Sequence, residues 1–402
     1  MQTADSVQGT SVTQHATRPS TVVAAFVLGT AGAGGFTLLP VTLPALADAF
    51  DLSPGVVGLV STLELVGVTS GALVAGLVAR RLPIRPLAIG VTAILLTCAL
   101  TTMLVRGIAV LASVRFVDGI MAGVALSLAY ATLSRTKRPD RNFAILAIFP
   151  LIYGTVGFWL IPKYENSVGW HASFIVLCVT DLVALIAALW LTTPLSPRST
   201  RLSFGESLPN VRGALALASV VLYYIGVCAI YAFAYTIGSG MTGSDGTSGS
   251  LLSASQVVGM VGCALAALIA GRFPRRPAIV LGFVVTIGGI CFLLLGAGTA
   301  SFAIGLFAIN FAWNFLAGSH IAAVGTMDDR GSAAAFLAVA INGGAALGPL
   351  LGFTVSGEDY VALETTAIAL VAVALVLILV ALQGRPEFAT RHALLEEPAL
   401  EQ

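Results

Sequence analysis

Ala79-Arg80-Arg81-Leu82-Pro83-Ile84-Arg85-Pro86 recurs as Ala270-Gly271-Arg272-Phe273-Pro274-Arg275-Arg276-Pro277, with Ala, Arg, Pro, Arg and Pro coinciding at an offset of 191. Each copy separates two long apolar runs. Asp140-Arg141 recurs as Asp329-Arg330 at an offset of 189, and Pro150-Leu151 is matched more weakly by Pro349-Leu350. A single short basic loop could recur by chance, but three echoes in nearly one register argue for an internal repeat. Six apolar runs separate the members of each pair, so both halves enter the bilayer with the same polarity. That predicts two parallel six-helix halves, an arrangement of secondary transporters.

Composition agrees. Of 402 residues, 57% are hydrophobic, 20 are basic and 19 are acidic, and the mean hydropathy is +0.96. A soluble chain of this length carries roughly 100 charged side chains. A soluble globular enzyme and a disordered chain are thereby excluded, and so is a nucleic-acid binder, which needs a basic excess. Cys98, Cys178, Cys228, Cys263 and Cys291 lie in apolar runs without CxxC spacing, so neither a metal site nor a disulfide framework is implied. No Gly-x4-Gly-Lys-Ser/Thr loop occurs, so no ATP-driven domain and no cofactor is expected.

Only helices and closed barrels satisfy every backbone group in lipid, and continuous apolar runs choose helices. Cutting at charged and Pro-rich breaks predicts twelve spans at 21–47, 54–79, 86–105, 109–133, 142–162, 171–192, 213–240, 251–271, 278–298, 300–325, 332–355 and 361–382. The expected organisation is a tail at 1–20, six-helix halves at 21–192 and 213–382, a linker at 193–212, and a second tail at 383–402. One set of loops and tails carries 17 Lys and Arg residues, the opposite set only Arg106 and Lys163, and Arg115 lies inside a span. Such asymmetry predicts that the Arg-rich side and both termini are cytoplasmic.

The segment from Pro44 to Asp48 and on to Arg85 resembles the first two helices of the major facilitator superfamily, and the twelve-span, two-half plan is similar to that family along nearly the whole chain. The family's loop between helices two and three reads Gly-x3-Asp-Arg-x-Gly-Arg-Arg. Here Gly76, Arg80, Arg81 and Arg85 occupy that stretch, with Arg80 where the family has Asp; Arg272, Arg275 and Arg276 belong to the second copy. These seven residues are the expected gating loops. Arg115-x3-Gly119-x3-Gly123 is similar to the family's proton-coupling motif in helix four. The antiporter motif of helix five is replaced by Pro150, Gly154 and Gly157 in another order, while Gly344-x3-Gly348-Pro349 stands in span eleven.

Charge inside a bilayer is costly and marks functional sites by default. Arg115 and Asp118 lie three apart on one helix and can meet; they read either as a proton-handling pair or as a static one. Glu64, about eleven residues into span two, has no charge near it in sequence. A solitary carboxylate in lipid favours its neutral form unless a cation pairs with it. Glu64 is thus a candidate proton carrier, with Arg115 a possible partner across the bundle, or else a protonated structural residue. Asp181 is equally deep in span six, which the resemblance puts at the periphery. The expected proton-coupling set is Glu64, Arg115, Asp118 and Asp181.

The resemblance implies that helices one, four, seven and ten line a central cavity. Tyr224 and Tyr231 share a face of span seven, and Asn310, Trp313 and Asn314 lie together in span ten. With Arg115 they form the expected substrate-binding set, suited to a small, partly apolar solute with some hydrogen-bonding capacity. Tyr235 reads as an interface anchor and His320 as a helix–helix hydrogen bond. Gly67-x3-Gly71 and Gly119-x3-Gly123 read as close-packing seams. Gly29, Gly32, Gly34 and Gly35, followed by Pro40 and Pro44, predict a bending first span.

The expected function is a proton-coupled secondary transporter of a small organic solute, in a bacterial inner membrane and acting as a monomer. Its partners are a small-molecule substrate, protons and the lipid bilayer, with no nucleic acid and no metal. Efflux in exchange for protons is the main reading. Proton-coupled uptake, with Arg115 as an anion clamp, is the alternative, and a membrane enzyme or receptor without transport is a remote third.

Overall fold

The computed structural model describes residues 18–78, 83–136, 138–191, 209–269, 273–325, 327, 332–357 and 359–384. Most of both expected tails and of the linker, together with Arg80, Arg81 and Arg272, lies outside the described residues. Helices account for nearly everything else. They are α1 (Pro19–Thr37), α2 (Leu39–Phe50), α3 (Pro54–Val78), α4 (Ile84–Thr102), α5 (Ile108–Leu133), α6 (Pro139–Val168) and α7 (His171–Ala188) in the first half. The second half contains α8 (Val211–Thr242), α9 (Asp245–Ile269), α10 (Arg275–Leu295), α11 (Gly298–Gly325), α12 (Ser332–Leu347), a 3₁₀ segment (Gly348–Thr354) and α13 (Val361–Ala381).

Among the described residues, twelve stretches are long and apolar enough to cross a membrane. Apolar residues face outward as well as inward: Val117, Ile152, Val179, Val261, Leu281 and Val376 are exposed on the bundle's flanks. Helices apolar all round belong in lipid, and these flanks are the lipid face. Starts follow local chemistry. Pro stands in the first turn of α1, α2 and α6, where its missing N–H is no loss, and Asn210 caps α8 by accepting from the Gly213 amide at 2.7 Å. The left-handed Gly243, φ +68°, ends α8 in a conformation that suits glycine.

Two crossings are not single α-helices. The first breaks between α1 and α2, where Pro40 has no N–H to continue the ladder and Leu38 leaves helical geometry at φ −89°, ψ 4°. The eleventh, expected as one helix over 332–355, tightens into 3₁₀ geometry from Gly348, with Pro349 in its first turn. There Gly348 and Gly352 lie against the backbones of Ala229 and Pro54, and Gly58 against the Pro349 carbonyl. This segment wedges between α3 and α8.

Within the first half α3 runs along α5, α1 lies on α5 and α4 packs against α7; within the second, α8 meets α12 and α13, and α11 lies between α9 and α10. The halves join through α3 with the 3₁₀ segment, α6 with α9, and α2 with α8. Ser253 donates to the Thr155 carbonyl at 2.7 Å, Gly249 seats against Phe158 and Pro162, and Tyr235 reaches Glu165 at 3.4 Å. These contacts use the C-terminal halves of α6 and α8 and the N-terminal half of α9. Tyr235 is buried in the seam, so its hydroxyl serves the other half and not a membrane interface.

Candidate functional site

The glycine seam between α3 and α5 builds the site. A side chain on Gly119 would run into the Glu64 carbonyl, one on Gly123 into that of Val68, one on Gly67 into that of Phe116, and one on Gly71 into that of Ile120. Four reciprocal glycines therefore bring two backbones into direct contact. That closeness carries Glu64 of α3 to Arg115 of α5.

The pair is a two-pronged fork. Arg115 Nε donates to Glu64 Oε2 at 3.0 Å, and Nη2 lies 2.5 Å from Oε1. The third nitrogen, Nη1, lies 3.2 Å from Asp118 Oδ2 without hydrogen-bond alignment, so that contact is chiefly electrostatic. Arg115, Glu64 and Asp118 are only 1%, 6% and 7% exposed, and the guanidinium lies 5.7 Å from the Phe174 ring of α7. A planar guanidinium suits this geometry, because one fork can serve two carboxylates and an aromatic face together.

Asp181 of α7 is also buried and within electrostatic reach of Asp118 and Arg115, with the Cys98 thiol of α4 in the same neighbourhood. Being on a peripheral helix does not isolate it. Two carboxylates thus contact one guanidinium in a low-dielectric interior, with Asp181 as a third close by. For the inner pair alone, neutrality requires Glu64 and Asp118 to hold one proton between them.

A second cluster lies beside the first. Trp313 of α11 is ringed by Tyr224 at 6.0 Å, Tyr231 at 5.5 Å and Phe36 at 6.2 Å between centroids, and Phe36 lies 5.7 Å from Tyr231. Most of these pairs are edge-on, the arrangement aromatic quadrupoles prefer. Rings from α1, α8 and α11 so form a box across both halves. Phe36 had no sequence signal beyond an aromatic in span one. Gln256 of α9 was also missed: 2% exposed, it approaches the Tyr231 hydroxyl, yet its amide nitrogen has no aligned acceptor.

The asparagines face elsewhere. Asn310 donates to Ser255 of α9 at 3.0 Å, and Asn314 donates back to the Asn310 carbonyl at 2.9 Å, both against Gly259. At the repeat offset of 191, Glu64 maps onto Ser255. The crossing that holds an ion pair in the first half therefore holds a neutral hydroxyl–amide pair in the second. His320 of α11 bonds Ser219 of α8, and no charged partner is involved. Of the described gating residues, Gly76 lies in the last turn of α3, Arg85 is exposed in the first turn of α4, and Arg275 and Arg276 open α10, where Arg276 donates to the Leu382 carbonyl.

The family model described as Major Facilitator Superfamily matches residues 24–349, from α1 into the 3₁₀ segment. The chain belongs to the major facilitator superfamily. Multidrug resistance protein MdtL of Shigella dysenteriae serotype 1 (strain Sd197) is 24% identical over 225 residues, 54% of this chain and 56% of that protein. MdtL of Escherichia coli O157:H7 is 23% identical over the same shares. The chain spans about half the length of these curated relatives. Among solved structures, nucleoside transporter NupG matches with a TM-score of 0.73 at 13% identity over 90% of this chain and 97% of that one. D-xylose-proton symporter matches with a TM-score of 0.69 at 16% identity, over 92% and 98%. These likenesses show that the twelve-span bundle has the major facilitator fold, and the chain is a multi-pass membrane protein.

Proposed function

We propose that this major facilitator superfamily member is a proton-coupled secondary transporter that exports a small, partly apolar organic solute in exchange for protons. The observation that carries the reading is the buried fork of Arg115 on Glu64 with Asp118 on its third nitrogen. One guanidinium with more than one carboxylate binds a proton in one arrangement and sheds it in another, because moving the cation changes which carboxylate is neutralised. Asp181 extends the set. Phe36, Tyr224, Tyr231 and Trp313 supply the apolar walls of the solute site, with Asn310 and Asn314 behind them as polar groups released when α9 and α11 separate. The similarity to proteins named for multidrug resistance supports the direction.

The Arg-rich loops belong to the cytoplasm, and both chain ends with them, in a bacterial inner membrane. The contacts joining the halves then lie on the outer side, so this arrangement is closed to the outside. The halves 21–192 and 213–382 rock about the central site, with the basic loops around Gly76–Arg85 and Arg272–Arg276 as inner gates. Liposomes with an imposed pH gradient and an internal pH dye test this, using hydrophobic organic compounds of the multidrug type as probes. Solute-driven proton movement opposite to the solute flux supports export by exchange. Movement in the same direction replaces it with uptake, Arg115 then serving as an anion clamp.

A further inference from the structure

Residues Gly34–Thr37 end α1 and touch both clusters within four positions. Gly34 lies beside the Tyr153 ring, and the α-carbon of Gly35 faces the Glu64 carboxylate, where a side chain would collide with Oε1 and come to 3.5 Å from Arg115 Nη2. Phe36 is a wall of the aromatic box. The Thr37 carbonyl accepts the Tyr231 hydroxyl at 2.6 Å. Immediately beyond, Leu38 and Pro40 break the helix. Upstream, Gly32 lies directly on the α5 backbone at Ala122 and Leu126, so α1 is held firmly up to that point.

We infer that Gly35 is a positioning residue through which the state of the Glu64–Arg115 pair sets the place of Phe36, and so the shape of the box around Trp313. A carboxylate that stays on Arg115 fits against the bare Gly35 backbone. Once the carboxylate leaves the guanidinium, its volume moves relative to that backbone, and the segment next to the break has the freedom to follow. Phe36 and the Thr37 carbonyl go with it, taking Tyr231 along. The link rests on Glu64 being the proton-carrying group of the proposed transport, but it needs no solute.

The groups facing Glu64 are Arg115 and Asp118 of α5, with Asp181 of α7 and Cys98 of α4 behind Asp118; from α1 the uncharged Gly35 lies against it. The four tryptophans are Trp159, Trp170, Trp190 and Trp313. The full chain carrying W159F, W170F and W190F, in lipid nanodiscs, therefore reports on the box through Trp313 alone. Its emission titrated from acid to alkaline pH is expected to show one transition. Glu64→Gln should abolish it, while Asp118→Asn and Asp181→Asn leave a transition of shifted midpoint. Gly35→Ala should move the midpoint by about one pH unit, a tenfold change in proton affinity. Tyr231→Phe, which leaves Gly35 intact, should halve the amplitude, and it covers the case where Gly35→Ala does not fold. A transition that survives Glu64→Gln, or a Tyr231→Phe trace that superimposes on the parent, overturns the link. Proton exchange with a flat Trp313 titration also overturns it, whereas an intact titration without any exchange overturns the transport reading alone.

Discussion

The Tyr231 hydroxyl donates to the Thr37 carbonyl at 2.6 Å, so a side chain of the second half caps the broken end of α1 in the first. The cap follows from the break. With the ladder interrupted at Leu38 and Pro40, the Val41 amide bonds the Leu38 carbonyl and not that of Thr37. A freed carbonyl in a buried place must find a donor, and Tyr231 supplies it only while the halves are closed on that side. Tyr231→Phe should remove about 1 kcal/mol from the closed arrangement, a roughly fivefold shift towards the open one. Spin labels at the exposed Ser53 and Ser250, in a cysteine-free background, measure this as growth of the long-distance population. An unchanged distance distribution refutes the cap's role.

Removing Arg115 should cost far more than removing its partner. Arg115→Met leaves carboxylates buried with no cation, a loss of about 3–5 kcal/mol by analogy with other broken buried pairs. Glu64→Gln keeps a hydrogen-bond acceptor for the fork and should cost roughly 1–2 kcal/mol. Arg115→Lys should not restore the parent, because one ammonium cannot present the planar two-pronged fork to Glu64 while keeping its charge beside Asp118. Thermal unfolding in detergent ranks the three, with Arg115→Met lowest. Equal midpoints for Arg115→Met and Glu64→Gln would falsify the fork as the organising contact.

The glycine seam allows a paired comparison. Gly119→Ala drives a methyl group into the Glu64 carbonyl and must part α3 from α5, whereas Gly90→Ala on α4 meets nothing within 4 Å. The first variant should lose stability and with it the register of Glu64 on Arg115. The second should hold or gain up to about 1 kcal/mol from helix propensity. Unfolding midpoints that fall together for both would mean that close packing of α3 on α5 does not set the site.

The fold was legible in the sequence because its signals are long. Apolar runs of about twenty residues, and a basic loop repeated at 191, average over many side chains. The family resemblance carried by Arg115, Gly119 and Gly123 added specificity. The site was legible where a single residue breaks a strong rule: Glu64, Arg115, Asp118 and Asp181 stand out because charge is rare in a span. Phe36 and Thr37 break no rule. Their importance comes from the α1 break and from helices 190 residues apart in sequence, neither of which composition records. Asn310 shows the converse, since a polar residue in an apolar span signals a partner without saying which: here Ser255.

His320 and Ser219 provide the last test, because they separate polarity from coupling. Ser219 has one hydroxyl proton, and it goes to the Ala374 carbonyl of α13 at 2.7 Å. The 3.2 Å contact with His320 must then run the other way, Nε2–H donating to the Ser219 oxygen, which fixes the neutral tautomer. The ring is held edge-on by Tyr223 and Phe283 at 5.8 and 5.5 Å. Three helices are tied by this chain of donors, and no charge enters it. Ser219→Ala strands the buried His320 donor, while the Ala374 carbonyl keeps its helical partner, so it should cost about 1–3 kcal/mol in thermal stability. The pH dependence of proton exchange should remain that of the parent. If the exchange profile of Ser219→Ala moved along the pH axis while Glu64→Gln left it in place, the proton path would run through α11 and not through α3 and α5.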